Sequence, residues 1–432
     1  MAKKKAFGLW SAVFLGIGSM VGAGIFVLLG EAGAITGNLV WISFILGGIV
    51  ALLSGYSLGK LAVAYPSRGG IIEYLVQCYG EGFFSGTISV LFYLSALVAL
   101  AMVAKTFGTY ATMLIFKHYS IFWVDIFTVG VLFTFMVINL LGSSTTAMSE
   151  NIIVIFKLTV LIIFTVAAFF YINPELLLPK DAPPAINILA SVGLTFFAYE
   201  GFRVITNTVE DLENPQKNIL KAMIIAISLV MVLYIAVTVA VFGNLPFDEV
   251  VKAKDYALAE AAKPAFGEKG FIIMSIAALV STASSINANL YAVTNVTYQM
   301  AKDGQLPKVY QINVFKSTEG LIISTLIITL LALFFNLGEI ATIGSISMLF
   351  IHSIVHIGHL FKIRQTGASK LLIYLAIITI AAVIVLALHY SAKHIHHIGY
   401  YIAGAFVVAF LLEVILRLTT KRVIRKQTKG VK

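Results

Sequence analysis

The sequence predicts an all-α integral membrane protein with twelve transmembrane helices, and three observations carry that prediction. Of 432 residues, 59% are hydrophobic and only 12% are charged, with a mean hydropathy of +0.97. Soluble chains carry about 25% charged and about 45–50% apolar residues, so this chain has too little polar surface to face water. Apolar windows of about 20 residues, the length that crosses a hydrocarbon core, recur along the whole chain. Those windows lack the two-residue alternation of a membrane barrel strand, and helices are the other structure that satisfies its backbone inside lipid. A soluble enzyme, a nucleic-acid binder and a disordered chain are excluded. The expected surrounding is membrane lipid, and no nucleic acid, cofactor or metal is expected.

The windows fall at 8–30, 39–62, 83–114, 121–141, 148–172, 185–209, 218–243, 269–302, 320–336, 338–358, 370–389 and 399–417. The first follows Met1-Ala-Lys-Lys-Lys5 and imitates a signal peptide. Its apolar part runs from Phe7 to Leu29, longer than an h-region of about 7–15 residues, so it reads as an uncleaved span. It carries Gly16, Gly18, Gly22, Gly24 and Gly30, each costing about 0.8–1 kcal/mol in helix propensity relative to alanine. Gly18 and Gly22 suit close helix packing. Gly22-Ala-Gly24 equally suits an interruption at mid-span, whereas a nucleotide loop would need a βαβ unit. Windows two to five complete a first block, 8–172. The third has Lys105 near its outer end, placed to snorkel, and the fifth buries Lys157 about 13 Å from its inner end. A lysine at that depth costs about 2.5–3.5 kcal/mol to insert and marks function by default. Desolvation allows it to release and take up a proton; a fixed charge bridging helices is the other interpretation.

The sixth window opens a second block, 185–358, with Glu200, Gly201 and Arg203 near mid-membrane. Interruptions at corresponding positions of two blocks point to the substrate site of a secondary transporter. Freed N–H groups at a half-helix N-terminus hold a carboxylate, and freed carbonyls at an opposing end hold an ammonium, a combination that suits an α-amino acid. Glu200 and Arg203 stand three apart and suit an intrahelical ion pair; alternatively Glu200 faces the substrate and selects cationic amino acids or amines. The loop 210–215 precedes the seventh window and ends in Pro215, a break signal. Phe247–Pro264 reads as an outer surface helix through Val250, Val251, Ala257 and Leu258. Ser281, Ser284 and Ser285 share one face of the eighth span. Only Leu337 separates the ninth and tenth windows. The last two, 370–417, stand apart from the blocks, with Glu413 a packing or interface charge.

Orientation follows from the basic residues. With the N-terminus inside, twenty lysines and arginines fall in inner segments against seven in outer ones, so both termini are expected in the cytoplasm of a multi-pass protein of the cytoplasmic membrane. The net charge of +10 is then a topological signal, with some contact to anionic lipid. Cys78 is the only cysteine and has no internal disulfide partner. His352, His356 and His359, with His394, His396 and His397, raise the alternative of a membrane metalloenzyme. The two clusters fall on opposite sides, so inner-end interfacial histidines and a wet outer loop are expected instead.

Several segments carry a resemblance: Gly18-Ser-Met-Val-Gly-Ala-Gly-Ile-Phe26, Pro66-Ser-Arg-Gly-Gly70 with Tyr74 and Gly80, and Phe197-Ala-Tyr-Glu-Gly-Phe202. Glu210-Asp-Leu-Glu-Asn-Pro-Gln-Lys217, Gly243-Asn-Leu-Pro246, Ala301-Lys-Asp-Gly-Gln-Leu-Pro307 and Phe315-Lys-Ser-Thr-Glu-Gly320 extend it over essentially the whole chain. The sequence resembles the APC (amino acid–polyamine–organocation) transporters, and within them the proton-coupled members of broad amino-acid specificity. The resemblance implies a LeuT-like 5+5 inverted repeat and alternating access. It implies a substrate carboxylate held by the backbone of Val21, Gly22, Ala23, Gly24 and Ile25, and an ammonium held at Phe197, Ala198 and Glu200. Phe197 and Phe202 are gate candidates. It also implies that Lys157 stands in for a sodium ion, reaching the Gly18 carbonyl and one of Ser281, Ser284 or Ser285; the same serines could otherwise ligate sodium. Charged residues at positions 200 and 203 depart from the family pattern and leave specificity open between neutral and cationic substrates, as exchange stays open beside symport.

Overall fold

A computed structural model describes residues 8–67, 69–142, 147–178, 184–302, 306–395 and 397–420. Lys3, Lys4, Lys5, Arg68, His396, the middle of the 301–307 motif and the basic tail from 421 onward lie outside the described residues.

The first span is two helices, α1 (Leu9–Met20) and α2 (Ala23–Thr36), separated by Val21 and Gly22. Next come α3 (Val40–Ala64), α4 (Ile71–Tyr79), α5 (Phe83–Phe116), α6 (Ile121–Leu140) and α7 (Ala147–Phe169). A short α8 (Pro174–Leu177) leads to α9 (Ala185–Tyr199), which continues as a 3-10 helix, Glu200–Thr208. Then come α10 (Pro215–Phe242), the short α11 (Phe247–Lys252) and α12 (Ala257–Glu260), and α13 (Lys263–Lys302). A two-residue antiparallel pairing, Asn313–Val314 with Ser317–Thr318, precedes α14 (Glu319–Phe334) and α15 (Leu337–Leu360). The chain closes with α16 (Ile363–Thr366), α17 (Lys370–His394) and α18 (Ile398–Thr420). Among the described residues ten helical stretches are long and apolar enough to cross a membrane, with Leu9–Met20 and Glu319–Phe334 as shorter apolar helices. The all-α class of the expectation therefore stands.

Sequence signals explain the ends of these helices. Pro215 occupies the first turn of α10, where its missing N–H costs nothing. Between α14 and α15 the break falls at Phe335 and Asn336, just before the expected Leu337. Asn336 accepts from the Glu339 N–H and Glu339 accepts from the Asn336 N–H, both at 2.9 Å. That is a capping box, and it places Leu337 inside the new helix.

α1 packs against α10 and the 3-10 segment, α2 against α9, and α3 against both α9 and α10. The long, largely buried α5 touches α6, α13, α14, α15 and α18. Exposed apolar side chains such as Ile163, Val166, Phe170, Ile378, Val385 and Val408 lie on α7, α17, α18 and the turn after α7, which form the periphery.

Three side-chain expectations are corrected. Lys105 does not snorkel. Its side chain is buried, and its ammonium donates to Ala332 O (2.7 Å) and Phe335 O (2.8 Å), capping the negative end of α14. The outer segment 247–264 is no simple surface helix: it is interrupted at Ala253–Tyr256, and Val250, Ala257 and Leu258 are buried while Val251 is exposed. A Cβ at Gly30 would fall 1.9 Å from Lys254 O, so the segment is seated on the first span. His352, His356 and His359 are wholly buried and hydrogen-bonded, rather than interfacial. Glu413 is a packing charge, one of the two alternatives expected: it is fully buried against Gly86 of α5, 2.7 Å from the Arg417 Nε one turn on.

Candidate functional site

Two helix interruptions meet at the centre of the molecule. At the first, Gly22 takes φ −115° and ψ −121°, outside the helical region, and α2 restarts at Ala23. The N–H groups of Ala23, Gly24 and Ile25 thus sit in the first turn of a helix whose cap supplies no side chain, where backbone donors are free for a ligand. The carbonyls on the other side of the gap are spoken for. Lys157 Nζ on α7 donates to Gly18 O at 2.6 Å, Tyr234 OH on α10 to Met20 O at 2.7 Å, and Ser281 Oγ on α13 to Val21 O at 3.3 Å. Lys157 is only 2% exposed, and its cation lies at the negative end of α1.

The second interruption opens no gap. At Glu200 the α-helix tightens to a 3-10 helix, with the Glu200 N–H bonded to Phe197 O. The two interruptions touch through backbone. A Cβ on Gly201 would lie 2.4 Å from Met20 N, and one on Gly24 would lie 2.8 Å from Ala198 O. Only glycine admits that approach. Tyr234 spans the junction, since its hydroxyl is also 3.4 Å from Ala198 O.

Beside this junction lies a cavity of about 160 Å³. Its wall includes Ser19, Gly24, Phe197, Ala198, Glu200 and Arg203, completed from α5 by Phe92 and from α13 by Ser285 and Asn289. That is smaller than the ~300–1,000 Å³ of sites for drug-sized ligands. Arg203 Nε stands 2.9 Å from Glu200 Oε1, and its guanidinium lies 4.9 Å from the Phe92 ring centre. The ion pair expected from the spacing is therefore formed, and the carboxylate at the cavity wall is compensated.

Of the expected substrate contacts, Gly24, Phe197, Ala198 and Glu200 line this cavity. Val21, Gly22 and Ile25 are buried beside it, and Ala23 begins α2. Phe202 does not line it and packs against Phe196 and His352. Lys157 reaches Gly18 as anticipated, Ser281 bonds Val21 O, Ser284 is half-buried on the same face, and Ser285 is at the cavity. Sequence reasoning missed Tyr234 and Asn289. A tyrosine inside an apolar span needs a partner for its hydroxyl, which was the available signal for Tyr234; Asn289 falls one turn past Ser285, on the face already known to be polar.

Comparison with known proteins agrees with this architecture. Residues 7–414 match the family model described as amino acid permease. The chain is 37% identical to an uncharacterized protein of Methanocaldococcus jannaschii over 97% of each chain. It is 35% identical to the inner membrane transport protein YbaT of Escherichia coli, covering 80% of this chain and 81% of that one. It is 28% identical to the serine/threonine exchanger SteT of Bacillus subtilis over 70% of each.

Proposed function

Because this chain belongs to the amino acid permease family, and is on that ground a multi-pass membrane transporter and not an enzyme, we propose that it takes up amino acids across the cytoplasmic membrane by alternating access, in proton symport independent of sodium. Twelve spans would form two inverted five-helix blocks, 8–172 and 185–358, followed by 370–417, with both termini cytoplasmic. The observation that carries the substrate site is the cavity between the interruptions, because one wall is the start of α2 and the other is the end of α9. The substrate carboxylate rests on the N–H groups of Ala23, Gly24 and Ile25, within the Val21–Ile25 backbone. Its ammonium faces the Phe197 and Ala198 carbonyls and Glu200, with Phe197 as the aromatic gate. Arg203 already compensates Glu200, which favours neutral amino acids over cationic ones or polyamines.

Lys157 supplies the coupling. Its ammonium holds Gly18 O, so loss of its proton frees a carbonyl beside the first interruption and links protonation to the shape of the site. One pH unit is worth about 1.4 kcal/mol and 100 mV about 2.3 kcal/mol, enough together to concentrate a neutral solute several hundred-fold. The same geometry suits a fixed charge in an exchanger, and one experiment separates the two. Labelled amino acids are offered to sodium-free proteoliposomes with and without an inward proton gradient. Gradient-driven accumulation is expected, and Lys157→Ala is expected to uncouple uptake from the proton gradient while the protein stays folded. Uptake that needs preloaded amino acid would establish exchange and leave Lys157 a structural cation. No uptake of any amino acid would remove the substrate class.

A further inference from the structure

The buried histidines of α15 take no part in the substrate and lysine sites above, yet one of them touches the cavity wall. His352 Nε2 is 3.3 Å from Glu200 Oε1 and 3.1 Å from Oε2. The opposite ring nitrogen, Nδ1, is 2.6 Å from Ser54 Oγ on α3, and Ser54 Oγ is 3.0 Å from His356 Nε2. Glu200, His352, Ser54 and His356 therefore form one unbroken polar chain, each side chain buried. The pattern repeats a turn further along both helices, where Ser57 Oγ is 2.8 Å from His359 Nδ1 and His359 Nε2 is 2.8 Å from Thr366 Oγ1. Thr366 is half-exposed on α16, so the run of polar groups points from the cavity to one end of the bundle.

We propose that Glu200 and His352 form a second proton-binding site, connected through Ser54 to His356 and directed toward His359 and Thr366. It is additional to Lys157 and does not depend on that residue's role. His356, entering as an imidazolium protonated at both ring nitrogens, gives its Nε2 proton to Ser54 Oγ as the Ser54 hydroxyl proton passes to His352 Nδ1 and leaves His356 neutral. His352 Nε2 then gives its proton to Glu200. Ser54 Oγ and the His352 ring each gain one proton and lose one, the His352 ring changing tautomer from Nε2–H to Nδ1–H, and the net change is one proton moved from His356 to Glu200. Histidine is the side chain whose charge changes between about pH 5 and 8. Arg203 is a permanent cation beside the same carboxylate, so each proton taken up adds one positive charge at the cavity wall.

Among the described residues few other charges face this chain. The 3-10 segment contributes Glu200 and Arg203, α9 the Phe196 ring, and α3 Ser54, Ser57 and, acting on His359, Lys60. On α4, Cys78 and Tyr79 abut Gly358. Tyr93 of α5 is bonded to Ser324 of α14, Glu413 of α18 is paired with Arg417, and α17 offers Ala387 to an apolar cluster with Ile343 and Ile346.

The test needs no substrate. Infrared spectra of the reconstituted full chain are recorded against pH, and the protonated-carboxyl band that disappears in Glu200→Gln is assigned to Glu200. Its midpoint is expected to move by about one pH unit in His352→Gln, a tenfold change in proton affinity, and to stay fixed in Lys157→Ala. If His352→Gln does not fold, Ser54→Ala decides in its place and is expected to move the midpoint in the same direction. An unmoved midpoint in the histidine variant, or in the serine variant when it stands alone, overturns the proposal. So does the absence of any Glu200 band between pH 4 and 9. Lys157 coupling would be untouched by either failure.

Discussion

The interruption between α1 and α2 leaves two residues outside any helix and hands the carbonyls of Gly18, Met20 and Val21 to three other helices. The interruption after Tyr199 leaves no gap, tightening instead into a 3-10 helix that carries its own opposite charges, Glu200 and Arg203. The first is glycine-made and held from outside. The second is charge-bearing and held from within. An unwound backbone exposes polar groups that something must satisfy, so the first interruption recruits a lysine, a tyrosine and a serine. A 3-10 helix keeps its backbone bonds, so the second needs no more than the long contact from Tyr234 to Ala198 O and can turn its side chains toward the cavity.

Three substitutions sharpen that contrast, in descending order of effect. Gly201→Ala drives a Cβ into the backbone of Ser19 and Met20, which cannot rotate away as a side chain would. A loss of about 3 kcal/mol, the upper end for overpacking, is expected in thermal unfolding of the purified protein, and an unchanged midpoint would show that the interruptions do not press together. Tyr234→Phe removes the hydroxyl that serves both interruptions and leaves buried carbonyls behind, expected to cost about 1–3 kcal/mol by the same assay. A cost near zero would mean that the two are independent. Ser281→Ala deletes a longer bond, 3.3 Å to Val21 O, and is expected to cost about 0.5 kcal/mol, at the low end for a hydrogen bond. A larger loss would place Ser281 beside Lys157 as a main support of the first interruption.

The glycines at 22 and 24 and the pair at 200 and 203 made both interruptions legible in the sequence, because propensity and charge are local properties. The partners of the freed carbonyls were legible only in part: Lys157 stood out as a charge in an apolar span and Ser281 as one of three serines on one helix face, whereas Tyr234 looks like an ordinary residue until two distant helices are brought together. The histidines of α15 were misplaced for the same reason. Their spacing marks one helix face, but only the packing of α3 against that face supplies Ser54 and Ser57 and makes burial affordable. The capping box at Asn336 and Glu339 was a local signal that the apolar windows on either side obscured.

Lys105 has a mechanical consequence. One buried ammonium ties α5 to the last turn of α14 through two carbonyls, and sliding either helix past the other would strand a cation without its acceptors. The two helices are thus riveted into a single strut. A rocking motion would swing that strut as one piece, together with α15, which also packs along α5.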